Sequence, residues 1–138
     1  IPAADKIPRI LRETREWLDI YFSGKRPDFT PALAPQGSDF RKVVWEELLK
    51  IPYGCTITYG QIAKQVADRK GILRMSAQAV GGAVGHNPIG IIIPCHRVGG
   101  TGGNLTGFGG GIRTKEALLK LEGMDMGRFY IPKKGTAL

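Results

Sequence analysis

The chain is short of cysteine and histidine, with two of each in 138 residues. Cys55 and Cys95 cannot build a disulfide framework, and with only two histidines they do not make a four-ligand zinc pattern. A reducing compartment fits, and no metal is expected. Long apolar runs are missing as well. The longest, residues 89–93, is far too short to span a bilayer, and no signal-peptide pattern opens the chain, so no membrane partner is expected. The first residue is Ile1 and not Met, so a preceding segment is expected. Acidic residues are the third scarcity: 12 Asp and Glu stand against 20 Lys and Arg, a formal net charge of +8.

Glycine is abundant. There are 20, more than half of them between positions 81 and 111 with no collagen-like period, which marks backbone that turns tightly or approaches a ligand closely. The charge is unevenly spread. Residues 1–36 carry 6 Lys/Arg and 5 Asp/Glu, a net of +1, while residues 37–138 carry 14 and 7, a net of +7. A basic second part favours a polyanionic partner such as nucleic acid, although a merely basic soluble protein has the same count. A composition 42% hydrophobic and 23% charged is that of an ordinary globular protein, and the length suits one domain with an appendage.

Ile7, Ile10, Leu11, Thr14, Trp17, Leu18 and Tyr21 recur at helical spacing, and Ser23-Gly24 ends the run. Residues 25–38, with Pro27, Pro31, Pro35 and Gly37, read as a linker. Ser38 or Asp39 caps a second helix with Phe40, Val43, Val44, Leu48 and Leu49 inward, stopped by Pro52 and Gly54. A helix-turn-helix pattern follows. Thr58-Tyr59-Gly60-Gln61 is a capping box that opens a helix to about Val66, with Ile62, Ala63 and Val66 inward. Residues 67–75 connect, and Ser76 caps a helix of small residues, 77–84. Gly81 and Gly82 inside it cost roughly 1 kcal/mol each relative to Ala, so one face needs close approach, by a neighbouring helix or by a nucleic acid backbone. Residues 89–93 read as a short buried strand, 99–111 as a loop anchored by Leu105 and Phe108, and Thr114 as the cap of a last helix, 115–122, before Gly123. The tail, 124–138, reads as irregular.

Cys95 follows the aliphatic run and Pro94 and immediately precedes His96. A thiol reacts as thiolate, and a histidine held by a carboxylate can take its proton. On an extended chain adjacent side chains point to opposite sides, so His96 would act through a water. Taken alone the pair is also compatible with a buried structural cysteine. Cys55, in a turn without a histidine beside it, reads as structural, and His86 as a solvated turn residue.

The run Asn87-Pro88-Ile89-Gly90-Ile91-Ile92-Ile93-Pro94-Cys95-His96-Arg97-Val98 resembles the active-site signature of the O6-alkylguanine-DNA alkyltransferases. The likeness extends over residues 40–123, through Thr58-Tyr59-Gly60-Gln61, Ala79-Val80-Gly81-Gly82-Ala83 and Lys115-Glu116. It implies an α+β, mainly α fold: a winged-helix-like, helix-turn-helix domain over residues 38–138 with a short active-site strand. Residues 1–37 resemble the closing helix and linker of an N-terminal α/β domain. The implied reaction is direct repair, in which an O6-alkylated guanine is flipped out of double-stranded DNA and its alkyl group passes irreversibly to Cys95. His96 is then the base through water, Glu122 orients it, and Tyr59 donates to the base and crowds the phosphate. The Cys95 and Val98 carbonyls accept from the guanine amine. Asn87 joins the recognition helix to the active-site strand, Arg97 forms a structural ion pair and is counted with the DNA-binding residues, and Ala77, Gln78 and Gly81 face the minor groove. Two departures stand out: Gln78 takes the place of a recognition-helix arginine, with Arg74 one turn earlier as its substitute, and Phe108-Gly109 that of a tyrosine and serine. Phe108 would stack on the flipped base and the backbone of Gly109 and Gly110 would serve its oxygen.

No cofactor is implied, because the nucleophile is internal and the product is a thioether. The partner is duplex DNA carrying O6-alkylguanine, with O4-alkylthymine left open. The intact protein is expected to be a monomer, cytoplasmic in a prokaryote or nuclear in a eukaryote, while a first helix stripped of its sheet would favour self-association. Two other classes compete: a non-catalytic reader of damaged bases, which in alkyltransferase-like proteins carries tryptophan where Cys95 stands, and a cysteine hydrolase using Cys95, His96 and Glu122.

Overall fold

The computed structural model describes residues 8–105 and 111–130, and the chain divides into two compact units, residues 1–34 and 35–138. In the first unit, α1 (Arg9–Phe22) follows Pro8 and ends at Ser23, whose hydroxyl donates to the Ile20 carbonyl at 2.6 Å. Of the helical stripe read from the sequence, Trp17 and Tyr21 are buried with their rings stacked at 5.2 Å, while Ile10 and Leu11 are exposed. Ile7 lies outside the described residues.

The second unit is mainly helical around a very small sheet. Ser38 accepts from the Arg41 N–H to cap α2 (Asp39–Leu48), and Thr58 and Gln61 form both halves of the expected capping box at the start of α3 (Tyr59–Lys70). Ser76 caps α4 (Ala77–Gly85) by accepting from the Ala79 N–H. These three helices pack on one another through Val44, Leu48, Ile62, Val66 and Val80. Trp45 joins them: its ring is buried and its Nε1–H donates to the Ala83 carbonyl at 2.9 Å. It displaces Leu49, expected inward, which is exposed.

The α3 helix runs four residues beyond Val66, because Ala67 continues the buried stripe while Asp68, Arg69 and Lys70 turn to solvent. Gly71, at φ +70°, ends it in the left-handed conformation that glycine tolerates. The connection to α4 is correspondingly shorter than residues 67–75. Arg69 reaches back to both Glu46 and Glu47, tying α3 to α2, and Glu47 is held ionised below its usual range by Lys50 and Arg69.

Residues 89–93 are not the expected strand. They form consecutive turns, with Ile93 N–H bonded to the Ile89 carbonyl and Ile91 at φ +72°, a conformation β-branched residues rarely adopt. Pro88, Gly90 and Pro94 interrupt any ladder there. The sheet lies one step later: β1 (Ile57–Thr58) pairs in parallel with β2 (Val98–Gly99), Ile57 opposite Val98 and Thr58 opposite Gly99. A last helix, α5 (Ile112–Leu121), starts after Gly111 and not at Thr114, which sits inside its first turn. Leu105, Leu119 and Met124 make a second small core beneath it, surrounded by Ile112, Met126 and Phe129. Gly103 is obligatory there: a Cβ would come within 2.0 Å of the Arg128 carbonyl oxygen.

Candidate active site

The parallel pairing of β1 with β2 sets the site. One strand leads into the first residue of α3, Tyr59, and the other leaves the 3-10 turn Cys95–Arg97, so Tyr59 and the cysteine segment come side by side. Cys95, His96 and Arg97 are buried, His96 completely. Because the three lie in a helical turn, Cys95 and His96 do not splay to opposite sides as an extended chain would require.

Glu122, at the end of α5, accepts every hydrogen bond its carboxylate is offered here. His96 Nε2 lies 2.6 Å from Oε2, the Arg97 Nε–H donates to Oε1 at 2.9 Å, and the Gly54 N–H donates to Oε1 at 2.9 Å. An ionised carboxylate is acceptor only, so Nε2 carries the imidazole hydrogen and Nδ1 the lone pair. Burial lowers the His96 pKa from its ordinary value despite Glu122, so the ring stays neutral at pH 7 and can take a proton. Arg97 turns inward: besides Glu122, its guanidinium donates to the Ile51 carbonyl at 2.8 Å and lies over the Tyr53 ring. This fits the ion-pair part of the expectation, and the guanidinium does not face the surface.

Burial raises the Cys95 thiol pKa, opposed by the Asn87 side chain, the charge of Lys115 and two backbone N–H groups. Asn87 also holds the turns before the cysteine, donating to the Ile93 carbonyl at 2.8 Å and accepting from the Ile89 N–H at 3.0 Å. Lys115, on α5, is part of the family likeness but was given no role in the sequence reading. It is buried, donates to the Val98 carbonyl, lies 6.0 Å from the centre of the Tyr59 ring, and its pKa is pulled down to about 8 by burial. The turn 51–55 was read only as a helix stop, yet it supplies the Ile51 carbonyl to Arg97 and the Gly54 N–H to Glu122. Neither signal is visible in a linear pattern, since carbonyls and amides carry no residue identity.

On α4, Gln78, Ala79, Gly82 and Gly85 are exposed, whereas Ala77 and Gly81, expected to face DNA, are half-buried. Of the adjacent pair Gly81 and Gly82, Gly82 is therefore the outward one, and a Cβ built on it meets nothing within 4 Å. Packing within the protein does not explain that glycine. His86 is exposed and caps the helix through Nδ1 and the Gly82 carbonyl at 2.7 Å. Phe108, Gly109 and Gly110 lie outside the described residues. Among the described residues no cluster of His, Cys, Asp or Glu could hold a metal ion, and no helix is long and apolar enough to cross a membrane.

Fold and site together define a helix-turn-helix domain built around a buried cysteine with a carboxylate-held histidine beside it. Residues 39–124 match the family model described as 6-O-methylguanine DNA methyltransferase, DNA binding domain. The chain belongs to that family. It is 50% identical over 112 residues to the methylated-DNA–protein-cysteine methyltransferase of Methanosarcina acetivorans, covering 81% of this chain and 69% of that protein. The protein of the same name from Mycobacterium bovis is 52% identical over 105 residues, 76% of this chain and 61% of its own length. Among solved structures, Mycobacterium tuberculosis OGT in complex with DNA matches with a TM-score of 0.72 at 47% identity, over 86% of this chain and 68% of that one. S. pombe Atl1 in complex with damaged DNA containing O6-carboxymethylguanine matches with a TM-score of 0.52 at 28% identity, over 66% and 82%. The chain thus spans roughly two thirds of the methyltransferases it matches.

Proposed function

We propose that this protein repairs DNA by transferring an alkyl group from O6-alkylguanine in duplex DNA to Cys95, once per molecule. The observation that carries this reading is the fully buried Glu122–His96 pair at 2.6 Å, whose histidine shares a turn with Cys95. His96, neutral, takes the thiol proton, through a water in this reading. The sulfur then attacks the alkyl carbon, the S–C bond forms as the C–O6 bond breaks, and the electron pair stays with guanine. The thiol proton ends on the guanine, so atoms and charge balance without a cofactor. Charge develops on the leaving base as the bond breaks, and in this reading Tyr59, with Lys115 6.0 Å from its ring centre, supplies the donor.

DNA binding itself is supported by the basic second unit and by the outward small face of α4, which permits close approach of a sugar-phosphate backbone. The decisive measurement is intact-protein mass after mixing with a duplex holding one O6-methylguanine. A methyl group gained in place of hydrogen at Cys95, and absent in Cys95→Ser, is the expected outcome. Tight binding without any mass change would make the protein a reader of damaged bases, and multiple turnover on a small ester would make it a hydrolase.

A further inference from the structure

The Schellman ending of α3 fixes the turn that leads into α4: the Gly71 N–H bonds the Asp68 carbonyl and the Ile72 N–H bonds the Ala67 carbonyl at 3.0 Å. Ile72, the residue after that glycine, is already exposed. Leu73 is as exposed as in an open peptide, at 101%. A single exposed leucine needs no explanation on most surfaces. This one stands in the turn between Gly71 and the Ser76 cap of α4, where it and Arg74 border a hollow shared by Lys64 of α3 and Ala77 of α4. Among the described residues, neither Lys70 nor Arg74 has an ion-pair partner, in contrast to Arg69, held by Glu46 and Glu47, and Lys64, held by Asp68. An apolar tip between two uncommitted cations, in the turn that leads into a helix whose exposed residues are Gln, Ala and Gly, is complementary to a grooved polyanion and not to an apolar protein surface. Minor-groove proteins combine basic side chains with a Leu, Ile or Met wedge that partly unstacks a base step.

We propose that residues 72–74 form a second DNA-contacting element, in which Leu73 is an apolar wedge at the base step beside the extruded nucleotide and Arg74 contacts a phosphate. This rests on the repair reading above and adds to it a device for opening the stack that does not depend on Gln78. The test compares wild type, Leu73→Ser and Arg74→Ala by fluorescence anisotropy on a labelled duplex with and without O6-methylguanine, across salt concentrations. Alkyl transfer from the free base O6-methylguanine, which needs no duplex, is followed by mass. Both side chains are exposed, so melting temperatures should not move.

Leu73→Ser is expected to weaken duplex binding about tenfold, the equivalent of one well-buried aliphatic contact, with an unchanged salt slope. Arg74→Ala should make the slope shallower by about one. Both variants should transfer from the free base as wild type does. Wild-type affinity in Leu73→Ser overturns the wedge whatever Arg74→Ala does, and an unchanged slope in Arg74→Ala overturns the phosphate contact. Failure of wild type to bind duplex or to accept an alkyl group would instead overturn the repair reading itself.

Discussion

Replacing Lys115 by methionine separates what this buried cation does for the fold from what it does for the chemistry. Its pKa falls from the ordinary 10.5 to about 8, and at about 1.4 kcal/mol per unit the charged form costs the fold about 3 kcal/mol at neutral pH. The sign follows from proton counts: between pH 8 and 10.5 the unfolded chain binds more protons, so stability rises with pH there, and below pH 8 the full cost is present. Methionine fills a similar volume and removes that cost, but leaves the Val98 carbonyl without the hydrogen bond Lys115 gives it, a loss of about 1–3 kcal/mol. The variant should therefore be as stable as wild type or more stable by up to about 2 kcal/mol, seen as an unchanged or raised urea midpoint. Alkyl transfer should slow about tenfold or more, since the charge that favours the Cys95 thiolate is gone. The rate profile of wild type should also carry an ionisation near pH 8 that is missing from the variant. A loss of more than about 3 kcal/mol, or transfer at the wild-type rate, would refute this reasoning.

Glu122→Gln leaves the Arg97 guanidinium buried without a counter-charge and His96 without its orienting acceptor. It should lower stability by about 3–5 kcal/mol in chemical unfolding, with alkyl transfer slowed further in molecules that remain folded. Gly82→Ala meets open space in the free protein, so it should stabilise α4 by about 1 kcal/mol in thermal melts while weakening duplex binding several-fold. Unchanged binding would mean that α4 does not approach the DNA backbone closely at that point. His96 has a folded pKa below 6.5, so the unfolded state takes up more protons as pH falls through 6.5 and stability declines on the acid side. His96→Gln should lose less stability than wild type between pH 6.5 and 5, measured by urea unfolding at each pH.

What the sequence made legible was local. Thr58 with Gln61, Ser76 with Ala79 and Ser38 with Arg41 are contacts within one helical turn, and such caps are written in residues three apart. The strand placed at 89–93 failed because isoleucine content signals burial equally in a strand and in a set of tight turns, and only the tertiary structure selects between them. The end of α3 was underestimated because its last turn shows solvent three charged residues, which an apolar stripe does not follow. The burial of Trp45 and the role of Lys115 were missed for a related reason: each is fixed by a main-chain carbonyl on another element, Ala83 and Val98. The adjacent Cys95 and His96 were legible as a candidate pair, but Glu122 was legible only as a family pattern, since 26 positions separate it from His96.

The two cysteines show how position, more than residue type, makes a nucleophile. Cys55 is exposed in the turn 51–55, beside the Gly54 amide that holds Glu122. Cys95 is buried, and burial alone would leave it a protonated, inert thiol. Every opposing influence on Cys95 comes from a fixed group: the Asn87 amide, which also clamps residues 89 and 93, the Lys115 ammonium tied to Val98, and backbone N–H groups of its own turn. Such groups need little reorganisation when charge forms on sulfur, which is where an enzyme site gains over water. His96, the proton acceptor of the proposed reaction, is fixed in the same way, by a Glu122 that Arg97 and Gly54 hold. A thiol kept neutral at rest but surrounded by donors already in place suits a protein that reacts once. Burial shields it from adventitious alkylating agents, and in the proposed reading it becomes a nucleophile once substrate is bound and a water carries its proton to His96.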